Sequence, residues 1–114
     1  MQIYYLEIVT PDVEAVCATY ERLHGVRFGL PQAGLGNART AALATGGLLG
    51  VRAPMHETEE PVVRPYLLVD DVTAAAEAAT AAGGEIAHPP MKLPGHGTFA
   101  IYIQGGIHHG LWQV

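Results

Sequence analysis

Tyr5-Leu6-Glu7-Ile8-Val9-Thr10-Pro11-Asp12-Val13 is a run of β-branched and aromatic residues leading into a helix start. Arg64-Pro65-Tyr66-Leu67-Leu68-Val69-Asp70-Asp71-Val72 repeats that pattern fifty-nine residues later. The likeness extends outward from both stretches. Asp12 is followed after thirteen residues by Gly25, and Asp71 after thirteen by Gly84. Each half then carries a Gly-x-Gly (Gly34 and Gly36; Gly95 and Gly97), a Gly-Gly pair (Gly46-Gly47; Gly105-Gly106) and one more glycine (Gly50; Gly110). Landmarks recurring in one order mark a duplicated supersecondary unit.

Each half predicts a strand, a helix and three further short strands. The first strands lie at 2–9 and 63–69. Thr10 is the expected N-cap of the first helix, with Pro11 at its first position and Gly25 as its stop. Val13, Val16, Cys17, Tyr20 and Leu23 follow the spacing of one buried helix face. The second helix starts at Asp70 or Asp71 and runs through an alanine-rich stretch to Gly83-Gly84. The remaining strands are expected at about 26–30, 38–44 and 47–52, then 85–88, 98–103 and 107–113. The acidic, proline-bounded segment Pro54 to Pro61 is the expected linker. The organisation is therefore one α+β domain of two tandem β-α-β-β-β modules, about 1–53 and 62–114, joined by about 54–61. A helix covers one face of each module's sheet. Two modules can then curl their uncovered faces around a cleft, as a curved, mostly antiparallel mixed sheet with the helices outside, and small ligands favour such clefts.

Composition narrows the function. At 114 residues the chain has the length of one ordinary domain, and its 15% charged content is that of a globular protein. A net charge of −5 with six scattered Lys and Arg speaks against nucleic acid as a partner. No apolar run is long enough for a membrane span, and Glu7 and Asp12 interrupt any signal-peptide core, so a cytoplasmic protein is expected. A lone Cys17 leaves no intrachain disulfide and no cysteine-based zinc site. The chain has no serine, and Cys17 lies on the predicted buried helix face, so a covalent mechanism has no candidate nucleophile.

The succession Pro65-Tyr66-Leu67-Leu68-Val69-Asp70-Asp71-Val72, Gly83-Gly84-Glu85-Ile86, Pro89-Pro90, Pro94-Gly95-His96-Gly97 and Gly110-Leu111-Trp112-Gln113 resembles the vicinal-oxygen-chelate superfamily. That superfamily includes glyoxalase I, extradiol dioxygenases, fosfomycin-resistance enzymes and the bleomycin-binding proteins, and the match runs over essentially the whole chain. The resemblance implies metal ligands on the first and last strand of each module. Carried over one position at a time, the first-strand positions are Tyr5 and Arg64, and the last-strand positions fall near Gly50 and Gly110. None is a good ligand, and Arg64 repels a divalent cation. No metal and no other cofactor are expected. The six histidines do not rebuild a site: His108 and His109 point to opposite faces of one strand, and His24, His56, His88 and His96 are scattered through helix end, linker, strand end and loop.

Strand alternation selects the candidate ligand-binding residues. Leu6, Ile8 and Leu111 suit the helix-facing side, which leaves Tyr5, Glu7, Arg64, Tyr66, His108 and Trp112 toward the cleft. Aromatic surface with an acid, a cation and an imidazole suits a small, partly aromatic organic molecule, with Trp112 as a stacking platform. Metal-free binding or sequestration of such a molecule, in the manner of a bleomycin-resistance protein, is the expected function. The alternative is an enzyme of isomerase, lyase or dioxygenase type, with Glu7 or His108 as general base or with displaced metal ligands. Whether there is catalysis stays open at this point. Exposed strand edges in a short chain also favour a homodimer.

Overall fold

A computed structural model describes residues 1–114. The fold class is α+β, with elements in the order β1 (Ile3–Val9), α1 (Val13–His24), β2 (Arg39–Ala42), β3 (Leu48–Arg52), β4 (Val62–Leu68), α2 (Val72–Ala81), β5 (Glu85–Leu93), β6 (Gly97–Gln104) and β7 (Ile107–Gln113). Two compact units result. One is Tyr5–Val63; the other is Arg64–Val114 together with Met1–Tyr4, so β1 begins in the second unit and continues in the first.

In the first unit the strand order is β2-β3-β1, with β1 and β3 parallel and β2 and β3 antiparallel. α1 packs on one face of these strands. Cys17 joins Ile8, Phe28, Ala41, Leu49 and Val51 in a buried cluster, with Val13, Val16 and Tyr20 against it. Leu23, expected on the same helix face, is 71% exposed. It lies in the last turn before Gly25, whose left-handed φ of 68° and N–H bond to Glu21 O end the helix as predicted. The start is later than expected. Asp12, not Thr10, is the N-cap, and the Thr10 hydroxyl instead accepts the Asp12 N–H at 3.1 Å.

Residues 26–30 form no strand. Side chains satisfy their backbone instead: Phe28 N–H donates to the Glu21 carboxylate at 3.0 Å. The Arg39 guanidinium donates to the carbonyls of Gly29 at 3.0 Å and Phe28 at 3.3 Å. One ladder-like bond, from Gly29 N to Thr40 O at 2.9 Å, is left. A carboxylate and a guanidinium thus replace the neighbouring strand that Val26, Phe28 and Leu30 seemed to require.

The second unit orders its strands β4-β7-β6-β5, with β4 and β7 parallel and the other pairs antiparallel. α2 is capped by Asp71, whose carboxylate accepts the Ala74 N–H. Its alanines allow close approach to the strands, where Val72, Ala100 and Leu111 form the buried cluster. Pro89-Pro90 was expected to end the strand at His88. Instead β5 continues to Leu93, with register shifts on both sides of His88. An edge strand tolerates prolines because its outer row of N–H groups has no partner to lose.

Candidate functional site

Alternation in β1 works as the sequence implies: Leu6 and Ile8 pack toward α1, so Tyr5 and Glu7 take the opposite face. There Glu7 lies opposite Gly50 in the parallel register and Tyr5 opposite Leu48. A Cβ on Gly50 would collide with the Tyr5 phenol, its hydroxyl first, with Cζ at 2.6 Å. The second unit repeats the arrangement. Tyr66 is opposite Gly110, and a Cβ on Gly110 would stand 2.6 Å from Tyr66 Cγ and 2.9 Å from Pro65 O. In both modules a tyrosine ring occupies the space where a last-strand side chain would begin.

The two units then diverge. Glu7, 7% exposed, receives a hydrogen bond from Arg52 Nε at 2.8 Å, and Arg52 is itself 5% exposed. The other end of the guanidinium makes a bidentate pair with Glu59, 2.9 Å from Nη1 and 2.7 Å from Nη2. Met55 N–H adds a bond to Glu59 at 2.7 Å. The bidentate Arg52 and then the Met55 amide hold the Glu59 carboxyl down at about 2, while Glu59 and Glu7 raise the guanidinium further above its already high value. Nothing in the sequence pattern singled out Arg52 or Glu59, which lie forty-five residues apart from Glu7 and in the linker, respectively.

On the helix-free face of the second unit, strand pairing aligns three rows: Leu68, Trp112, Phe99 and Met91; Tyr66, Gly110, Ile101 and His88; His108, Ile103 and Glu85. The middle of this face is aromatic. Tyr66 meets Trp112 edge to face at 5.7 Å and Phe99 at 6.1 Å, and His88 lies on Phe99 at 4.6 Å. Trp112 was expected to offer a stacking surface. It is 2% exposed, Tyr4 stacks on it at 5.7 Å, and its indole N–H donates to His96 O at 3.1 Å. The ring is thus a wall behind the face, not a platform on it. Tyr5 and Tyr66 are buried too, whereas Arg64 is half-buried and His108 exposed. Tyr4, Phe99 and His88 were missed by the sequence argument. Tyr4 shares the parity of Leu6 and Ile8, and the apparent strand end at Pro89 hid His88.

The metal site that the sequence resemblance implies does not fit these residues. The first- and last-strand positions hold Tyr5, Gly50, Arg64 and Gly110, and the glycine pair has no room for a carboxylate while the tyrosines remain. Nor do three His, Cys, Asp or Glu side chains converge elsewhere. Cys17 is buried on the inner face of α1, and burial pushes its thiol up, away from the reactive thiolate.

With this geometry the chain shares its fold with solved structures, methylmalonyl-CoA epimerases among them. No protein-family model matches the sequence, and neither does any curated protein. Solved structures match over nearly all of it. A hypothetical protein from Bacillus halodurans C-125 superposes with a TM-score of 0.77 at 9% identity, over 99% of this chain and 94% of that one. Methylmalonyl-CoA epimerase from Streptomyces coelicolor, in complex with 2-nitronate-propionyl-CoA, gives 0.72 at 16%, over 99% and 96%. The epimerase from Mycobacterium tuberculosis gives 0.72 at 15%, over 97% and 86%. Identities this low carry the fold and nothing of the chemistry. No helix is long and apolar enough to cross a membrane.

Proposed function

We propose that this chain binds a small, partly aromatic organic molecule without using the metal ion of its fold family. The observation that carries the proposal is the pair of tyrosines, Tyr5 over Gly50 and Tyr66 over Gly110, in the volume from which a ligating side chain would project. Support for an organic ligand comes from the second unit. Its helix-free face holds half-buried Phe99, Ile101 and His88 in front of the Tyr66–Trp112 wall, with exposed His108 at one end. Apolar surface with a few polar groups is what orients an amphipathic molecule. In the first unit Tyr5 and Glu7, and in the second Arg64, take the positions that carry ligands in metal-using relatives or adjoin them. We assign them to the same ligand-facing role.

A second function, acid–base isomerisation of an acyl compound, is favoured by the likeness to epimerases whose structures hold a CoA ester analogue. Glu7 or His108 would be its base. In that case Glu7 would have to exchange its bond to Arg52 for one to substrate. The protein is assigned to the cytoplasm and to a homodimer on the grounds given from the sequence. The deciding experiment has two arms on protein purified without chelators. Elemental analysis is expected to find far less than one ion per chain. A screen of planar aromatic compounds is expected to change the fluorescence of Trp112, the sole tryptophan. One tightly held ion per chain defeats the proposal, and so does a screen without binders. Solvent deuterium entering an acyl thioester, lost in Glu7→Gln, would establish the second function in its place.

A further inference from the structure

We infer that His88 is the polar anchor of the ligand face, and that it selects planar molecules bearing a weakly acidic hydroxyl, such as phenols and enols; this rests on the binding function proposed above. His88 Nδ1 lies 2.7 Å from the carbonyl oxygen of Pro89. A carbonyl can only accept, so Nδ1 carries the hydrogen, which in the neutral form of the ring puts the lone pair on Nε2. The ring orientation is held a second time by Phe99, on which it lies at 4.6 Å with 33° between the planes. An imidazole with its tautomer and its plane both set is a directed hydrogen-bond acceptor.

The surroundings determine which donor it takes. Its neighbours on the face are Ile101 directly opposite, Phe99 beside it and Met91 one row along. A hydroxyl reaching Nε2 along this apolar surface is partly withdrawn from water, which strengthens the bond. An aromatic or enolic plane beside Phe99 adds to an aromatic cluster in which Phe99 stacks on Trp112 at 6.3 Å and Tyr66 meets both edge to face. Glu85, one row away on the other side and opposite Ile103, disfavours a carboxylate ligand and leaves the neutral hydroxyl. The backbone agrees. Register shifts flank His88 on both sides, next to Pro89-Pro90 on this edge strand. Bulges of this kind re-aim side chains.

The test compares 4-methylphenol with its methyl ether, 4-methylanisole, by NMR titration at about pH 8, where free imidazoles are neutral and free phenols protonated. The wild-type chain is expected to prefer the phenol by about five- to tenfold, the effect of one neutral hydrogen bond. His88→Phe keeps a ring on Phe99 but has no lone pair, and is expected to bind both compounds as the wild type binds the ether. His88→Gln, which restores an acceptor oxygen, is expected to recover part of the preference. Imidazole ¹⁵N shifts are expected to show hydrogen on Nδ1. Hydrogen on Nε2 instead, or an undiminished preference for phenol in a folded His88→Phe, overturns the assignment of His88 alone. If the wild type binds neither compound, the binding function fails with it.

Discussion

The two halves of this chain solve one packing problem with different chemistry. Both place a tyrosine ring over a last-strand glycine. Around it the first unit builds a buried ionic group, Glu7–Arg52–Glu59, while the second builds an uncharged aromatic group of Tyr66, Phe99 and Trp112. A duplicated backbone therefore does not dictate what fills its helix-free face. A charged filling is held by a few directed bonds and fails when one partner goes. An aromatic filling is held by many weak contacts and fails by loss of volume.

The largest expected effect breaks the ionic side. Arg52→Ala strands two carboxylates with little access to water and is expected to cost about 3–5 kcal/mol in urea unfolding. Replacing all three charged residues together, as Glu7→Leu, Arg52→Met and Glu59→Leu, is expected to recover most of that. A triple variant as unstable as Arg52→Ala would show that the group does more than neutralise itself.

Overpacking tests the shared feature next. Gly110→Ala is expected to cost about 1–3 kcal/mol, and Tyr66→Leu in the same chain is not expected to relieve it, because the Pro65 carbonyl also blocks the added methyl. Gly50→Ala meets only the far end of the Tyr5 side chain, so Tyr5→Leu is expected to rescue it. A double-mutant cycle reads the difference as strong coupling in the first unit and weak coupling in the second. Equal coupling in both would erase the contrast.

Acid sharpens the comparison. The Glu59 carboxyl is lowered from 4.5 to about 2 by its bond to Arg52. A group depressed on folding stabilises the protein above its unfolded value, and that contribution fades as pH falls from about 4.5 toward 2. Between about pH 5 and about pH 2.5, the wild type is expected to lose more stability than Glu59→Gln; parallel losses would mean that the pair is not formed in solution. The smallest effect concerns the helix starts. Asp71→Ala removes a real cap and is expected to cost about 1 kcal/mol, whereas Asp12→Ala, whose carboxylate caps nothing, is expected to cost less than about 0.5 kcal/mol in the same thermal-melt series.

What the sequence determined by itself is what short-range patterns encode. The strand-then-helix start of each half, the stop at Gly25, the second helix start at Asp70 or Asp71 and the alternation separating Leu6 and Ile8 from Tyr5 and Glu7 are legible within a window of about ten residues, and the fifty-nine-residue repeat is the recurrence of such windows. Such windows sample the periods of helix and strand, and that is all a backbone needs to choose between them. Tertiary structure decided which groups meet. Glu7 found Arg52, an edge strand ran on past Pro89-Pro90, and Arg39 and Glu21 satisfied a segment that reads as a strand. Trp112, selected as a platform, is buried against Tyr4 and bonded to the His96 carbonyl, and His88, set aside as a strand end, lies half-buried on Phe99. Long side chains reach across strands that are distant in sequence, and their partners are chosen by register and distance, which no local period records.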